Sequence, residues 1–149
     1  MKIILSILAG TIILLSCSKS NFNSPALGTI TTNVDGVPVT SFNGTGVFGG
    51  SITTGFNISS DLFYIKGLSS VPTTNVSYPV FITYLQTQNQ DTTIYKTITD
   101  TASAVFTSID GSSGIVRGTF SGTVADSSAI PITHVITNGQ FYLKVEFTP

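Results

Sequence analysis

Few residues of this chain could carry out acid–base chemistry. It contains one histidine, His134, and seven acids, which are six aspartates and Glu146. A Ser-His-Asp relay, in which a histidine takes the proton of an attacking serine, would have to use His134. The sequence lacks the G-x-S-x-G turn that exposes such a serine. Because His134 lies in the alternating run from Ile132 to Ile136, we expect a strand-surface or loop histidine.

The acids are also better explained by structure than by catalysis. Asp35 and Asp110 each precede a glycine, where aspartate stabilises a turn through local backbone N–H groups. Glu146 and Lys144 share an outward strand face and are expected to form a solvated pair. No D-x-D-x-D-G run supplies the six or more oxygens that calcium needs, and zinc needs several His or Cys ligands. We therefore predict no enzyme, metal or cofactor; a hydrolase using two loop carboxylates about 5–9 Å apart remains a less favoured alternative.

The one cysteine, Cys17, ends an apolar leader. Lys2 supplies a positive charge, and Ile3 to Leu15 is almost wholly apolar. This run is shorter than the roughly 20 residues that span a bilayer core. A basic start and a short apolar run are typical of a secretory signal peptide that is removed. The end of the leader, Leu14-Leu15-Ser16-Cys17, resembles the bacterial lipobox.

That resemblance implies cleavage between Ser16 and Cys17 and diacylation of the Cys17 thiol, commonly with acylation of its amine. A thiolate is the side chain best suited to alkylation, and each buried CH₂ of an acyl chain contributes about 0.8 kcal/mol of membrane affinity. We thus expect residues 1–16 to be a lipoprotein signal peptide, and 17–27 an acylated cysteine with a flexible tether. One cysteine excludes an intrachain disulfide.

The residues after Cys17 bear on the destination. Ser18-Lys19-Ser20 lacks the aspartate that favours inner-membrane retention in enterobacterial lipoproteins. It also lacks the acidic cluster associated with surface export in Bacteroidota. By these resemblances the protein is expected on the outer membrane, anchored by lipid, with the periplasmic face favoured over the cell surface.

Composition sets the size and charge of the body. Removal of the leader leaves about 130 residues, enough for one domain. The whole chain has 6 Lys+Arg against 7 Asp+Glu, and loss of Lys2 leaves five against seven, a net charge of −2 with His134 neutral. No basic footprint for nucleic acid exists. Charged residues make up 9% of the chain, so Thr, Ser, Asn and Gly supply the polarity, as in exported β proteins with threonine-rich strand faces.

A two-residue period dominates from Gly28 onward, without a helical stripe. The clearest example is Val116 to Val124, where the even-numbered residues are predicted to face inward. The inward Gly118 and Gly122 leave room for a facing aromatic ring or a sheet bend. In the last strand, the predicted inward residues are Phe141, Leu143, Val145 and Phe147.

Turn residues divide these runs. Asp35-Gly36 is a strong hairpin signal, and Pro38 stands at a strand start, where its missing N–H is tolerated. Pro79 predicts an edge strand or a break. The segment from Gln86 to Thr93 is polar and is expected to be a loop. Ile132 to Thr137 leads into Asn138-Gly139, after which the last strand begins.

The pattern gives about eight or nine strands with mostly short connections. Short links and one wet face per strand require antiparallel pairing. We predict an all-β domain over residues 28–149, either an antiparallel β-sandwich or a flattened up-and-down barrel. A meander is favoured, and Greek-key order stays open.

Three segments resemble a group of small Bacteroidota envelope lipoproteins with an all-β domain of unknown function. They are Thr32-Asn33-Val34-Asp35-Gly36, Gly118-Thr119-Phe120-Ser121-Gly122 and Ile136-Thr137-Asn138-Gly139-Gln140-Phe141. The resemblance covers nearly the whole mature chain and implies the fold and an envelope location. Its motifs are turn and strand residues, so it implies no substrate and no site residue.

Two kinds of glycan contact follow from this resemblance. Envelope lipoproteins of the group often serve glycan uptake, and aromatic faces are the usual platforms for sugar C–H groups. Exposed aromatics could be Tyr64, Tyr84, Tyr95 and Tyr142, although packing within or beside the sheet is the favoured interpretation. Asp91-Thr92-Thr93 and Asp100-Thr101-Ala102 resemble the D-[ST]-[small/apolar] O-glycosylation signal, with Thr92 and Thr101 as acceptors in loop-like sequence.

The sequence thus favours a non-enzymatic, lipid-anchored β domain that binds or braces something in the envelope. Its partners would be the membrane, through the anchor, and an envelope protein or a glycan. One alternative is a barrel that carries a small apolar ligand, which requires an unfilled interior. Others are a glycan-binding accessory lipoprotein and, less favoured, the hydrolase.

Overall fold

The computed structural model describes residues 25–49, 55–68 and 72–148, so Ser16 and Cys17 of the predicted cleavage and lipidation site lie outside the described residues. Within them the chain is all-β, which confirms the predicted fold class. Ten strands, rather than eight or nine, form one mixed sheet. They are β1 Thr29–Val34, β2 Val37–Ser41, β3 Thr45–Gly49, β4 Phe56–Ser59, β5 Phe63–Gly67, β6 Ser77–Gln88, β7 Asp91–Thr97, β8 Ser103–Asp110, β9 Ile115–Ala125 and β10 Thr133–Thr148.

The longest strand, β10, organises the sheet. On one side it pairs with β9, from Thr133 to Lys144. On the other side it pairs first with β1, whose Thr29 lies opposite Tyr142, and then with β3 from Lys144 to Thr148. Strands β3 to β7 follow one another as antiparallel neighbours, and β9 pairs with both β7 and β8. Because β9 pairs in turn with β10, the path of paired strands that starts at β10 and runs through β3 to β7 returns to β10. The sheet is therefore barrel-like, and β6 also pairs with β8.

The pairing of β3 with β10 is parallel, which differs from the purely antiparallel sheet that we expected. β1 begins at Thr29, so the end of β10 has no β1 residue beside it. The chain leaving β2 continues in the same direction, crosses the start of β1 at Gly44, and fills that vacant edge as β3. Gly44 N–H donates to Gly28 C=O at 2.7 Å. A Cβ on Gly44 would lie 2.3 Å from a methyl of Leu143 and 3.1 Å from Gly28 C=O, so a larger residue would have to displace the Leu143 side chain at this crossing.

Buried apolar side chains fill the interior of the sheet. The predicted inward positions of β9 are buried, and the ring of Phe141 occupies the space above Gly118, where a Cβ would lie 2.2 Å from the ring. Phe141, Leu143 and Val145 of β10 are buried as predicted, but Phe147 is 42% exposed. It lies beyond Lys144, the last β10 residue with a β9 partner, so fewer neighbours cover it.

The predicted hairpin at Asp35-Gly36 is confirmed, since both residues have positive φ, 52° and 82°. Asn138-Gly139 does not end the strand as the sequence predicted. Asn138 has a positive φ of 53°, but β10 continues through it with a bulge against β9. The loop predicted from Gln86 to Thr93 is wrong. It is the tip of a β6–β7 hairpin whose two turn residues are Asn89 and Gln90, with φ 50° and 75°.

Pro79 and Pro38 occupy different positions in the sheet. Pro79 lies within an unbroken, interior β6, and the neighbour of β6 changes from β8 to β7 just after it. Pro38 lies on β2, which has β1 on one side only. In this two-residue hairpin Val34 and Val37 form the closing hydrogen-bonded pair, so residue 38 faces the free edge. A proline there removes a donor that another chain could use for edge pairing.

Candidate functional site

The structure brings His134 and Asp35 together, although 99 residues separate them. Because Val34 of β1 pairs with Ile136 of β10, the β1–β2 turn lies beside the start of β10. His134 Nδ1 is 2.6 Å from Asp35 Oδ2. The Val135 N–H donates to the other carboxylate oxygen at 2.7 Å, and the Asp35 N–H donates to Val135 C=O at 2.9 Å. Asp35 therefore ties the turn to β10 through three contacts.

Two tyrosines cover the imidazole. The ring centroid of Tyr95 is 4.5 Å from that of His134 at an interplanar angle of 75°, and Tyr84 is 6.1 Å away at 89°. The tyrosines stack on each other at 5.9 Å, and the Tyr95 hydroxyl donates to Gln86 Oε1 at 3.2 Å. The His134 side chain is 15% exposed. It is thus more enclosed than the strand-surface or loop histidine that the sequence predicted.

The His134–Asp35 pair resembles the histidine and the carboxylate of a Ser-His-Asp relay. In such relays a carboxylate orients one imidazole nitrogen while the other takes a proton from a nucleophile. Asp35 fulfils the first role at Nδ1. His134 Nε2 is buried and has no hydrogen-bond partner within the part of the chain that the structure describes, so no hydroxyl nucleophile contacts it there. The pair instead ties the β1–β2 turn to β10.

The local environment shifts the pKa values of this cluster. The hydrogen bond with His134, followed by that from the Val135 amide, lowers the pKa of Asp35. Burial, followed by the neighbouring Tyr95 and Asp35, raises the pKa of Tyr84. Both shifts favour a carboxylate at Asp35 and a neutral phenol at Tyr84 near neutral pH.

Three other aspartates also hold turns. The hydroxyls of Ser112 and Ser113 donate to Asp110 at 2.6 and 2.7 Å and lower its pKa strongly. The Asp126 carboxylate accepts hydrogen bonds from the Ser128 hydroxyl at 2.8 Å and from the Ile132 N–H at 2.9 Å. The Ser128 bond, followed by the Ile132 bond, lowers the pKa of Asp126. Asp61 accepts the Asn43 side-chain amide with both oxygens, each at 3.0 Å, beside the crossing from β2 to β3. These bonds bear out the turn role expected for Asp110.

The predicted pairing of Glu146 with Lys144 is not found. Both side chains are exposed on β10, but in the described ranges the one salt bridge is His134–Asp35. The same ranges contain no group of three or more His, Cys, Asp or Glu residues that could hold a metal ion. These ranges also contain no helix that could cross a membrane.

The four tyrosines divide by position. Tyr84 and Tyr95 are 6% and 5% exposed, which agrees with the prediction that they pack within the sheet. Tyr64 is 43% exposed, and its hydroxyl donates to Asn57 at 2.7 Å. The Arg117 guanidinium lies 4.2 Å from the centroid of the half-buried Tyr142 ring. Of these four tyrosines, only Tyr64 and Tyr142 therefore reach the outer surface of the sheet.

The two O-glycosylation candidates have different surroundings. Thr92 lies on β7 rather than in a loop, is exposed, and has its hydroxyl 3.1 Å from that of Thr87. Thr101 is exposed in the loop between β7 and β8. Its hydroxyl lies 2.7 Å from Ile98 C=O and 3.1 Å from Thr123 C=O. Both threonines stay predictions.

Comparison with known proteins identifies no relative of this chain. No family model matches the chain, and no curated protein and no solved structure matches it either.

Asp35 allows a test of the tie between the turn and β10. We expect Asp35→Asn to lower the free energy of unfolding at pH 7 by about 1 kcal/mol, below the usual range for hydrogen bonds to charged groups because the carboxylate is half exposed. The folded-state pKa of Asp35 lies below the free value of 3.8, so its contribution is complete above that pH and is lost as the pH falls through the folded pKa. Urea unfolding between pH 2 and 7 measures the difference.

The matched control is Asp100→Asn. Asp100 also has positive φ, 59°, which asparagine tolerates equally well, and its side chain makes no hydrogen bond to the described part of the chain. The control should change stability little at any pH. An equal loss in both variants, or a loss in Asp35→Asn that persists unchanged at pH 2, would contradict the assignment.

Proposed function

We propose that this protein is a lipid-anchored component of a bacterial cell envelope, with a β domain that binds or braces another envelope component without catalysis. Cys17 is the acylated residue in this proposal. The outer membrane is the proposed location, and its periplasmic face is preferred to the cell surface. The sequence around Ser16 and Cys17 supports the anchor, and the geometry of the domain supports the non-enzymatic role.

One observation carries the non-enzymatic role: the acids with the strongest local interactions are used to hold the fold. Asp35, Asp61, Asp110 and Asp126 each bind a turn or a crossing of the chain. The hydrogen bonds to Asp35, Asp110 and Asp126 lower the pKa values of these three carboxyls, so they stay ionised and are poorly suited to general acid catalysis. These contacts favour a structural use of the carboxylates over the hydrolase alternative.

The packing of the interior weighs against the carrier alternative. A barrel that holds an apolar ligand needs space within the sheet. Phe106 instead lies at the centre of an aromatic cluster, with ring centroids of Phe56, Phe141 and Phe48 at 4.9, 5.3 and 5.4 Å. All four rings are at most 1% exposed. A domain filled in this way offers its outer surface, rather than its centre, to a partner.

The anchor is tested by labelling cells with radioactive palmitate. We expect the wild-type chain to incorporate label and fractionate with membranes, because acyl chains on Cys17 supply its membrane affinity. Cys17→Ala should lose the label and appear in the soluble envelope fraction. Ser18→Ala is the matched control and should label as the wild type does. Equal labelling of wild type and Cys17→Ala would refute the anchor.

A further inference from the structure

A groove crosses the outer face of β8, β9 and β10, on the side of the sheet away from the aromatic interior. Its volume is about 480 Å³, within the range of about 300–1,000 Å³ that is usual for small-molecule sites. Hydroxyl and amide side chains form its rim: Ser103, Thr119, Ser121, Thr137, Asn138 and Gln140. These include outward residues of two of the three segments that carry the family resemblance.

The bulge in β10 lies along this groove. Asn138 adopts φ 53°, and Gly139 then lies opposite Phe120 of β9. A Cβ on Gly139 would lie 2.5 Å from Phe120 C=O and 2.6 Å from its ring, so the residue next to the bulge must be a glycine. Val105 is the half-buried apolar side chain on the floor of the groove, whereas the Phe120 ring is 3% exposed and packs against Phe63 in the interior. The groove therefore has a small apolar floor at Val105 and a polar rim.

The rim side chains are not used by the fold. None of the six rim residues makes a side-chain hydrogen bond to the described part of the chain. Other hydroxyls are engaged: Thr32 donates to Thr137 C=O at 2.9 Å, and Ser41 donates to Ser60 at 2.9 Å. Hydroxyls and primary amides both donate and accept. The rim thus presents both donors and acceptors that no side-chain hydrogen bond within the described residues uses.

Charge is confined to one end. No Asp, Glu, Lys, Arg or His lines the groove itself. A smaller groove of about 190 Å³ continues from it, shares Thr119 and Gln140, and ends at Arg117 and Tyr142, where the guanidinium lies over the ring. A neutral ligand that is rich in hydroxyl groups and has apolar C–H faces matches the main groove. An ionic ligand would find no counter-charge there.

We propose that this groove binds a neutral saccharide chain, with sugar C–H groups against Val105 and sugar hydroxyls on the rim. The inference rests on the binding role proposed above and names its ligand class. A peptide is the competing occupant, but peptides usually add to a free strand edge through main-chain hydrogen bonds. Here β9 is paired on both sides, with β8 and β10, so side chains must recognise the ligand.

The test measures binding by the full acylated protein in lauryldimethylamine oxide micelles, because detergents with sugar headgroups would compete. Isothermal titration calorimetry would use three neutral hexasaccharides: cellohexaose, maltohexaose and laminarihexaose. An acidic galacturonate hexamer and a Ser/Asn-rich dodecapeptide complete the panel. We expect at least one neutral sugar to bind and the galacturonate hexamer to bind more weakly.

Three variants locate the binding. Ser121→Ile adds bulk without an aromatic face to an exposed rim position and should abolish saccharide binding. Asn138→Gly keeps the positive φ but removes the amide, and should weaken binding about fivefold, as expected for one net hydrogen bond. Thr40→Ala, on the exposed face of β2, is the matched control and should bind as the wild type does.

Three outcomes would overturn the inference: no binding of any neutral sugar, binding that persists in Ser121→Ile, or binding of the peptide alone. Circular dichroism of each variant confirms that a loss of binding is not a loss of fold. Palmitate labelling of Cys17 is independent of all these results. A failure of the groove therefore leaves the anchor standing, and a failure of the anchor leaves the groove open to the same calorimetry.

Discussion

We expect Gly118→Ala to destabilise the domain by about 3 kcal/mol, at the upper end of the usual cost of overpacking a core. The added Cβ would lie 2.2 Å from the Phe141 ring and 2.4 Å from Val105 C=O. The ring could turn away only by disturbing the aromatic cluster. The carbonyl belongs to β8, which is paired with β9 across this position, so it cannot move without loss of pairing. Both obstacles oppose the same methyl group.

Urea unfolding of the chain that begins at Ser18, followed by circular dichroism, measures this effect. Gly111→Ala is the matched control, because a Cβ at Gly111, in the exposed β8–β9 turn, meets nothing within 4 Å. It should change stability by less than about 0.5 kcal/mol. If Gly118→Ala were as stable as Gly111→Ala, the packing of Phe141 over β9 would be wrong.

Phe106→Ala is expected to cost about 4 kcal/mol, which is typical of removing a fully buried phenylalanine. The Phe106 ring is 0% exposed and meets Phe48, Phe56 and Phe141 edge to face. Its removal leaves a cavity that these rings cannot close, since each is fixed on a different strand. A loss of this size is a large part of the roughly 5–15 kcal/mol that stabilises a domain.

Phe106→Leu keeps the measurement possible if the alanine variant does not fold, and it should lose less than half as much stability. Phe42→Ala is the matched control, because the Phe42 side chain is 58% exposed. Its effect should stay within about 0.5 kcal/mol. Similar losses for Phe106→Ala and Phe42→Ala would show that Phe106 is not the centre of the core.

The clearest strand of the domain could be predicted because its signal is local. Along β9 every second residue from Val116 to Val124 is buried, and a period of two follows directly from the pleat of a strand. The β6–β7 hairpin tip was missed for the opposite reason. Between Gln86 and Thr93 both faces are largely in water, so no apolar period marks the strands, and cross-strand pairing alone holds them extended.

Turn residues were located correctly, but their consequences were not always those predicted. Asp35-Gly36 and Asn138-Gly139 both supply the positive φ that a tight turn or a bulge requires. The first reverses the chain between β1 and β2. The second lies where β10 has β9 on one side and β1 on the other. These partners keep the strand extended, so the same local conformation becomes a bulge.

The sequence by itself determined the all-β class, the inward residues of β9, the Asp35-Gly36 hairpin and the prediction of an anchor at Cys17, because each depends on neighbours within a few residues. The tertiary structure alone decided that β3 runs parallel to β10, that Asp35 meets His134, and that six polar side chains surround one groove. These arrangements join residues far apart in the chain, and they depend on which strands pair. Pairing is set by the free energy of the whole sheet, not by any short segment.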